Sequence, residues 1–164
     1  MSTDAEIIAK VAARAADPKR RIDLEVHDTP PQPLSEPDFL TGLERDLGFA
    51  LPSLLKTLYL EVGDGGFGPG CGMFGARSGH WLSDEPFTLA ETYHVNHKGN
   101  WPDKLVPICD WGCAIFGCID CASGEYLMVT SDPNEYLTEF WPEGISFRDW
   151  IEAWADGVDV TPRS

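Results

Sequence analysis

The sequence has 164 residues, of which 43% are hydrophobic and 24% charged, values typical of one globular domain rather than a disordered or fibrous chain. Its 12 Lys and Arg residues stand against 27 Asp and Glu residues, which gives a formal net charge of −15 at pH 7. A field of that sign repels nucleic acid and attracts basic surfaces, so a basic protein is the leading class of partner.

The chain also lacks the sequence signals for export or membrane insertion. Its apolar runs are far shorter than the roughly 20 residues that a membrane span needs, and the first residues lack the basic and then apolar layout of a signal peptide. We therefore expect a cytoplasmic location and no membrane partner. In that reducing compartment the cysteines stay as thiols; they are Cys71, Cys109, Cys113, Cys118 and Cys121.

The N-terminal region predicts a helix followed by a linker. Apolar residues recur at helical spacing over residues 3–16, Thr3 is a candidate N-cap, and Glu6 follows it by three positions. A short β-prone stretch comes next over residues 22–26, and then a segment with four prolines in ten positions, residues 28–37. We expect residues 1–33 to lie outside the main domain, and the domain to fold without residues 1–16.

Three further helices are predicted before the periodicity changes. Ser35 with Asp38 resembles a capping box for a helix that Gly48 ends, Pro52 opens the next helix, and a third core-packed helix follows over residues 86–97. The glycine-rich run at residues 63–70 lacks the Lys-Ser/Thr ending of a phosphate-binding loop and follows a helix instead of a strand. It therefore predicts turns.

The C-terminal half predicts a sheet and one last helix. Short β-prone runs are separated by Asp-Trp-Gly, Ala-Ser-Gly and Asp-Pro-Asn turn signals, which is typical of an antiparallel meander. Ser146 then caps a helix, with Asp149 three positions on. Helices, then strands, then a helix indicate a single α+β domain. The predicted strands are Leu105–Cys109, Cys113–Cys121, Tyr126–Thr130 and Glu135–Trp141.

Cysteine and histidine spacing offers one candidate metal centre. Cys109-x3-Cys113-x4-Cys118-x2-Cys121, with His94 and His97 upstream, has ligand types that bind zinc, but the spacing does not give two tight knuckles. Residues 118 and 121 of one strand also point to opposite faces. Buried cysteines in a core are the favoured interpretation, and a zinc or thiol enzyme is the alternative. We expect no metal, no cofactor and no catalytic residue.

Charge and aromatic residues predict a binding surface instead. Residues 105–162 contain eleven acids and a single basic residue, Arg148, and aromatic side chains lie among those acids. Aromatic anchors with charged rims are typical of protein-binding surfaces, although acids that merely keep the protein in solution would give the same pattern. The predicted contact residues are Asp110 and Trp111 in one turn between strands, Asp132 and Glu135 in another, and Glu143.

Several short motifs, taken in order, resemble the SUKH superfamily over about residues 34–157, which leaves residues 158–164 as a tail. Each motif is weak alone, and their order and spacing carry the resemblance. They are Leu43-Glu-x-x-Leu-Gly-Phe-x-Leu-Pro52, Val62-Gly-Asp-Gly-Gly66, Leu105-Val-Pro-Ile-x-Asp-Trp-Gly-Cys113, Ile119-Asp, Gly124-Glu and Ser146-Phe-x-x-Trp-Ile151.

The resemblance implies a non-enzymatic α+β domain. In this superfamily such domains are often bacterial immunity proteins, which bind and neutralise a polymorphic toxin inside the producing cell, and many of those toxins are basic nucleases. The alternative that it implies is a regulatory scaffold similar to the fungal cell-wall-synthesis regulators, which binds cellular proteins. The superfamily varies its binding surface, so contact residues cannot be carried over from it.

Overall fold

The computed structural model describes residues 1–78 and 87–162. Within these ranges the elements follow the predicted order, and the four strands form one antiparallel sheet in sequential order, which confirms the α+β meander. The elements are α1 (Asp4–Ala15), α2 (Pro37–Leu47), α3 (Ser53–Glu61), α4 (Leu89–Asn96), β1 (Leu105–Gly112), β2 (Ile115–Asp120), β3 (Leu127–Pro133), β4 (Thr138–Ser146) and α5 (Phe147–Ala155). No helix in the described ranges is long and apolar enough to cross a membrane.

Several helix ends lie where local chemistry predicts them. The side chains of Thr3 and Ser146 accept hydrogen bonds from the backbone N–H groups of Glu6 and Asp149, three residues further along in each case. Each bond satisfies a donor that the first helical turn leaves unpaired. Gly48 ends α2 in the left-handed conformation, with φ of 87°. These caps explain why the starts of α1 and α5 and the end of α2 could be predicted closely.

One helix start differs from the prediction. Ser35 does not cap α2: the N-cap is Glu36, which makes no side-chain capping bond, and Pro37 occupies the first turn of the helix. Proline suits that position because its missing N–H would be unpaired there anyway. The predicted start of the next core-packed helix at Pro86 lies outside the described residues, and Thr88 caps α4 with a complete capping box.

Strand ends at the two predicted turns also differ. The Asp-Trp-Gly signal does not form a turn: β1 continues to Gly112, and the turn falls on Cys113 and Ala114, both with positive φ. A tight hairpin needs such φ values to match the strand twist. Asp132 likewise lies within β3, and the turn after it occupies residues 134–137.

A neighbouring segment explains why β1 stays extended. The backbone N–H of Cys71 donates to the carbonyl of Asp110 at 2.8 Å, and the N–H of Asp110 donates to the carbonyl of Gly72 at 3.2 Å. Met73 forms an antiparallel bridge with Cys109. The glycine-rich run therefore leads into a short backbone segment that pairs with the outer edge of β1, a long-range contact that local turn signals do not encode.

Helix α1 is part of the hydrophobic core. Ile7 and Val11 have no exposed surface, Ala15 is 3% exposed, and the helix packs against α5 and α3. Lys10 forms ion pairs with Glu152 and Asp156, each at 3.1 Å. This packing speaks against the expectation that the domain folds without residues 1–16, whereas the domain boundary at residues 33 and 34 stays a prediction.

The proline-rich segment is held on the domain by backbone hydrogen bonds. Residues 28–36 form neither helix nor strand. The N–H of Leu34 donates to the carbonyl of Tyr59 at 2.9 Å, and the N–H of Asp64 donates to the carbonyl of Gln32 at 2.8 Å. The segment thus lies along the end of α3 and fixes the path from α1 to α2.

Candidate partner-binding site

The meander places two hairpin turns at the same end of the sheet. Strands β1 and β3 both run toward this end, and the turns at residues 113–114 and 134–137 follow them. We call this the hairpin end. Of the five predicted contact residues, Asp110, Trp111, Asp132 and Glu135 lie here, and Glu143 lies further along β4.

Three of the predicted residues share one face of the sheet. Thr130 pairs with Trp141 and Asp132 pairs with Glu139, so these side chains project to one side, because residues directly opposite in a ladder share a face. Glu143 joins them, since its Oε1 accepts a hydrogen bond of 2.6 Å from Oγ1 of Thr130. We call this surface the groove face; its residues are Trp111, Ile115, Gly117, Thr130, Asp132, Glu139, Trp141 and Glu143.

Asp110 has a different role from its neighbour. It pairs with Phe116, which in turn pairs with Ser131, and this row lies on the other side of the sheet from Gly117 and Thr130. Its Oδ1 accepts a 2.7 Å hydrogen bond from the backbone N–H of Gly112. Asp110 therefore organises the end of β1, while Trp111 reaches the groove face.

Two glycines make room for the indole of Trp111. A Cβ atom on Gly70 would come within 2.7 Å of ring atom Cε3, and one on Gly117 within 3.1 Å of Nε1. Real Cβ atoms essentially never approach as closely as the first distance. The indole thus lies against backbone on both sides, which holds it in place at the edge of the groove face.

Beside Trp111 is a groove of about 320 Å³. It lies between the hairpin end, the segment after α1 and the C-terminal tail. Two indoles and several aliphatic side chains form its walls, and two carboxylates lie among them. The lining residues are Asp23, Leu24, Gly70, Trp111, Ile115, Asp132, Trp141, Thr161 and Pro162.

The two carboxylates of the groove have different surroundings. Asp23 is fully engaged: it pairs with Arg14 at 3.0 Å and accepts hydrogen bonds from the indole N–H of Trp154 and the backbone N–H of Gly70. Asp132 is half-buried, and no side chain in residues 1–78 or 87–162 donates to it. Of these two groove carboxylates, Asp132 is therefore the one without a cationic partner among residues 1–78 and 87–162.

The charge of Asp132 is reinforced across the strands. Glu139 lies directly opposite it in the antiparallel register. Like charges in such a pair repel each other and destabilise the sheet. Glu139 accepts a 3.2 Å hydrogen bond from Asn134, a neutral donor, and no cation of the described chain lies within 4 Å of either carboxylate. A cation supplied from outside would relieve this repulsion.

The turn after β3 presents an exposed aromatic side chain that the sequence placed in a strand. Tyr136 is 86% exposed and Leu137 is 58% exposed, next to Glu135. Oδ1 of Asn134 accepts hydrogen bonds from the backbone N–H groups of both residues. The turn is therefore held in one conformation with apolar surface facing outward. The Asp-Pro-Asn signal marked the turn, but not which residues it exposes.

One comparison with known proteins settles the family. The model of the SMI1 / KNR4 family (SUKH-1) matches residues 35–153, more than half of the chain. This chain belongs to the SMI1/KNR4 family (SUKH-1). Members of the family are generally non-catalytic immunity or regulatory proteins. Comparisons with curated proteins and with solved structures found no significant match.

The groove of this SUKH-1 domain includes residues from outside the family match. Its hairpin-end wall lies within residues 35–153, but Asp23 and Leu24 precede that range, and Thr161 and Pro162 follow it. Sequence reasoning missed these four because it placed Asp23 and Leu24 outside the main domain, and Thr161 and Pro162 in a tail. Two of the three partners of Asp23, Gly70 and Trp154, lie far away from it in the chain.

The cysteines of the SUKH-1 domain do not come together as a metal site. Cys109 and Cys118 are buried, Cys121 is half-buried and Cys113 is exposed on the hairpin turn. The candidate histidine ligands pair elsewhere, His94 with Asp46 and His97 with Asp103. In the part of the chain that the structure describes, no group of three or more His, Cys, Asp or Glu side chains is placed to hold a metal ion.

Thiol reactivity should follow this burial. Burial raises the pKa of Cys118 and of Cys121 to about 12, and raises that of Cys109 well above its ordinary value. Since the thiolate is the reactive form and Cys113 is exposed while Cys109 and Cys118 are buried, we expect Cys113 to react with iodoacetamide at pH 8 at least about tenfold faster than either of them. Peptide mass spectrometry after timed labelling measures this, and equal labelling of Cys113 and Cys118 would contradict the structure.

Proposed function

We propose that this protein is an immunity protein that binds and neutralises a basic toxin through the groove face and hairpin end of its sheet. Family membership supports the class of function, since SUKH immunity proteins bind toxins. The observation that supports this surface as the binding site is the half-buried carboxylate of Asp132, which lies beside two indoles and has no cation of the described chain near it.

The distribution of ion pairs supports the same surface. The cations that pair with carboxylates in the described residues lie elsewhere: Lys10 and Arg14 on α1, and Arg148 on α5 with Asp4. The remaining pairs involve α2, α3 and α4 or the loops beside them. Within the described residues, the carboxylates at the hairpin end have no cationic partner, which favours encounter with a basic surface and disfavours an acidic one.

Apolar anchors accompany these charges. Trp111 and Trp141 line the groove, and Tyr136 projects from the neighbouring turn. Aromatic side chains surrounded by polar groups are the usual positions of binding hot spots. A toxin whose active site is built to attract phosphate would offer the complementary charge. We infer no catalytic role for any of these residues.

Salt and charge reversal test the electrostatic part of this proposal. We expect the association rate with the toxin encoded beside this gene to fall at least about tenfold between 0.05 and 0.5 M salt, because the screening length shortens from roughly 14 to roughly 4 Å. Glu135→Lys should slow association at low salt with little effect on dissociation, since exposed rim charges act mainly on encounter. Stopped-flow or surface plasmon resonance gives both rates.

A matched control uses another exposed acid with the same change in net charge. Glu125 lies in the turn between β2 and β3, at the opposite end of the sheet. Glu125→Lys should leave the association rate within about twofold of the unchanged protein. Equal slowing by Glu125→Lys and Glu135→Lys would show that net charge, and not this surface, governs encounter. A gene neighbourhood without a toxin would favour the regulatory scaffold, the family's other role.

A further inference from the structure

The groove beside Trp111 combines features that suit one kind of side chain. We propose that it binds an arginine side chain presented by the partner, with the guanidinium at Asp132 and Glu139 and the aliphatic stem against Trp111 and Trp141. The inference rests on the proposed function for the protein that supplies the arginine. It adds which kind of side chain the groove binds.

The paired carboxylates favour a guanidinium over an ammonium. Asp132 and Glu139 lie opposite each other on adjacent strands, and neither has a cation of the described chain within 4 Å. A guanidinium is planar and has five N–H donors, so it can bond two carboxylates at once with fixed geometry. A lysine ammonium is a compact, strongly hydrated charge and matches such a pair less well.

The walls of the groove suit the rest of an arginine side chain. The indoles of Trp111 and Trp141, together with Ile115 and Pro162, offer apolar surface for three methylene groups. Guanidinium groups also stack favourably on tryptophan faces. The protein already contains such a contact, since the guanidinium of Arg14 lies 4.2 Å from the ring centre of Trp154.

The second carboxylate of the groove does not compete for the guanidinium. Asp23 is neutralised by Arg14 and accepts further bonds from the Trp154 indole and from Gly70. Its hydrogen-bonding capacity is therefore taken up, while Asp132 has no cationic partner in the part of the chain that the structure describes. The groove volume of about 320 Å³ is near the lower limit of pockets that hold drug-sized ligands, about 300–1,000 Å³, and so suits one side chain.

A peptide titration tests this without the toxin. The ¹⁵N-labelled protein is titrated with acetyl-Gly-Ser-Arg-Ser-Gly-amide and with the same peptide carrying lysine or citrulline in place of arginine. The indole N–H signals of Trp111 and Trp141, assigned from Trp111→Phe and Trp141→Phe, report occupancy. Citrulline keeps the shape of arginine and removes its charge.

We expect the arginine peptide to shift both indole signals with a millimolar dissociation constant, the lysine peptide to bind more weakly, and the citrulline peptide to leave the signals unchanged. Asp132→Asn should lower the affinity for the arginine peptide at least about tenfold. Glu125→Gln, at the opposite end of the sheet, should leave its affinity unchanged. In each variant, backbone amide signals far from the substituted residue should keep their positions, which shows that the variant is folded.

Three results would overturn the inference: no indole shift with the arginine peptide, equal shifts with citrulline, or full affinity in Asp132→Asn. Each leaves the proposed function open, because toxin binding is measured separately. If the toxin binds and Asp132→Asn binds it equally well, the groove inference fails and the proposed function survives. If the arginine peptide binds as expected and the toxin does not, the toxin is the wrong partner for a groove that still selects arginine.

Discussion

Trp111→Ala is expected to weaken toxin binding by about 2 kcal/mol or more, a factor of about thirty, mainly through faster dissociation. The indole lines the groove and lies between Gly70 and Gly117, so it is held in place before any partner arrives. A preorganised aromatic anchor loses little conformational entropy on binding. Calorimetric titration of the variant and the unchanged protein with the toxin measures the difference.

The same substitution removes packing from the fold, so a control must separate the two effects. Phe140→Ala removes a half-buried aromatic ring from the other face of the sheet, where it contacts Trp101. Both variants should unfold at lower temperature, but only Trp111→Ala should lose affinity for the toxin at temperatures where both are folded. Equal losses of affinity would mean that Trp111 acts through stability alone.

Ile7→Ala is expected to destabilise the protein by about 2–5 kcal/mol, because it leaves a cavity in a fully buried position. Deleting residues 1–16 should cost more, since it also removes the buried Val11 and the ion pairs of Lys10 and Arg14. Denaturant unfolding followed by tryptophan fluorescence gives the free energies. This outcome is the opposite of the one that the sequence alone suggests.

An exposed aliphatic residue provides the comparison for Ile7. Val95 on α4 is 52% exposed, and Val95→Ala should change the free energy of unfolding by no more than about 0.5 kcal/mol. Two results would show that α1 does not belong to the core. One is that Ile7→Ala lowers the free energy of unfolding no more than Val95→Ala does; the other is that the protein without residues 1–16 is as stable as the full chain.

The parts of the fold that depend on local chemistry could be predicted from the sequence. Thr3 and Ser146 cap helices through side chains three residues from their donors, and Gly48 supplies a left-handed end. The order of strands follows from short connections, which allow only neighbours in sequence to pair. These signals act over a few residues, and the structure confirms them.

Long-range pairing could not be predicted in the same way. The segment around Cys71 and Gly72 holds Asp110 extended and moves the turn onto residues 113–114. The core position of α1 depends on contacts with α5, more than a hundred residues away along the chain. The proline-rich segment between α1 and α2 suggested that α1 lies apart from the domain, because composition does not say whether such a segment packs on the domain.

The candidate site could also be predicted only in part. Aromatic and acidic residues near two turns indicated the hairpin end, and Trp111 and Asp132 line one groove there. Sequence reasoning could not find Asp23 or the C-terminal wall of the groove, since tertiary contacts bring them there. It also could not distinguish Asp110, which bonds its own strand end, from Asp132, which the described chain leaves without a donor.

Rescue of cells from the neighbouring toxin is the most direct measurement of the central claim. Cells that express the toxin from an inducible promoter are given this protein, its Asp132→Lys variant or its Glu125→Lys variant, at matched levels of folded protein. We expect the unchanged protein and Glu125→Lys to restore growth, and Asp132→Lys to fail. Death of the cells with the unchanged protein, or equal rescue by all three, would contradict the account.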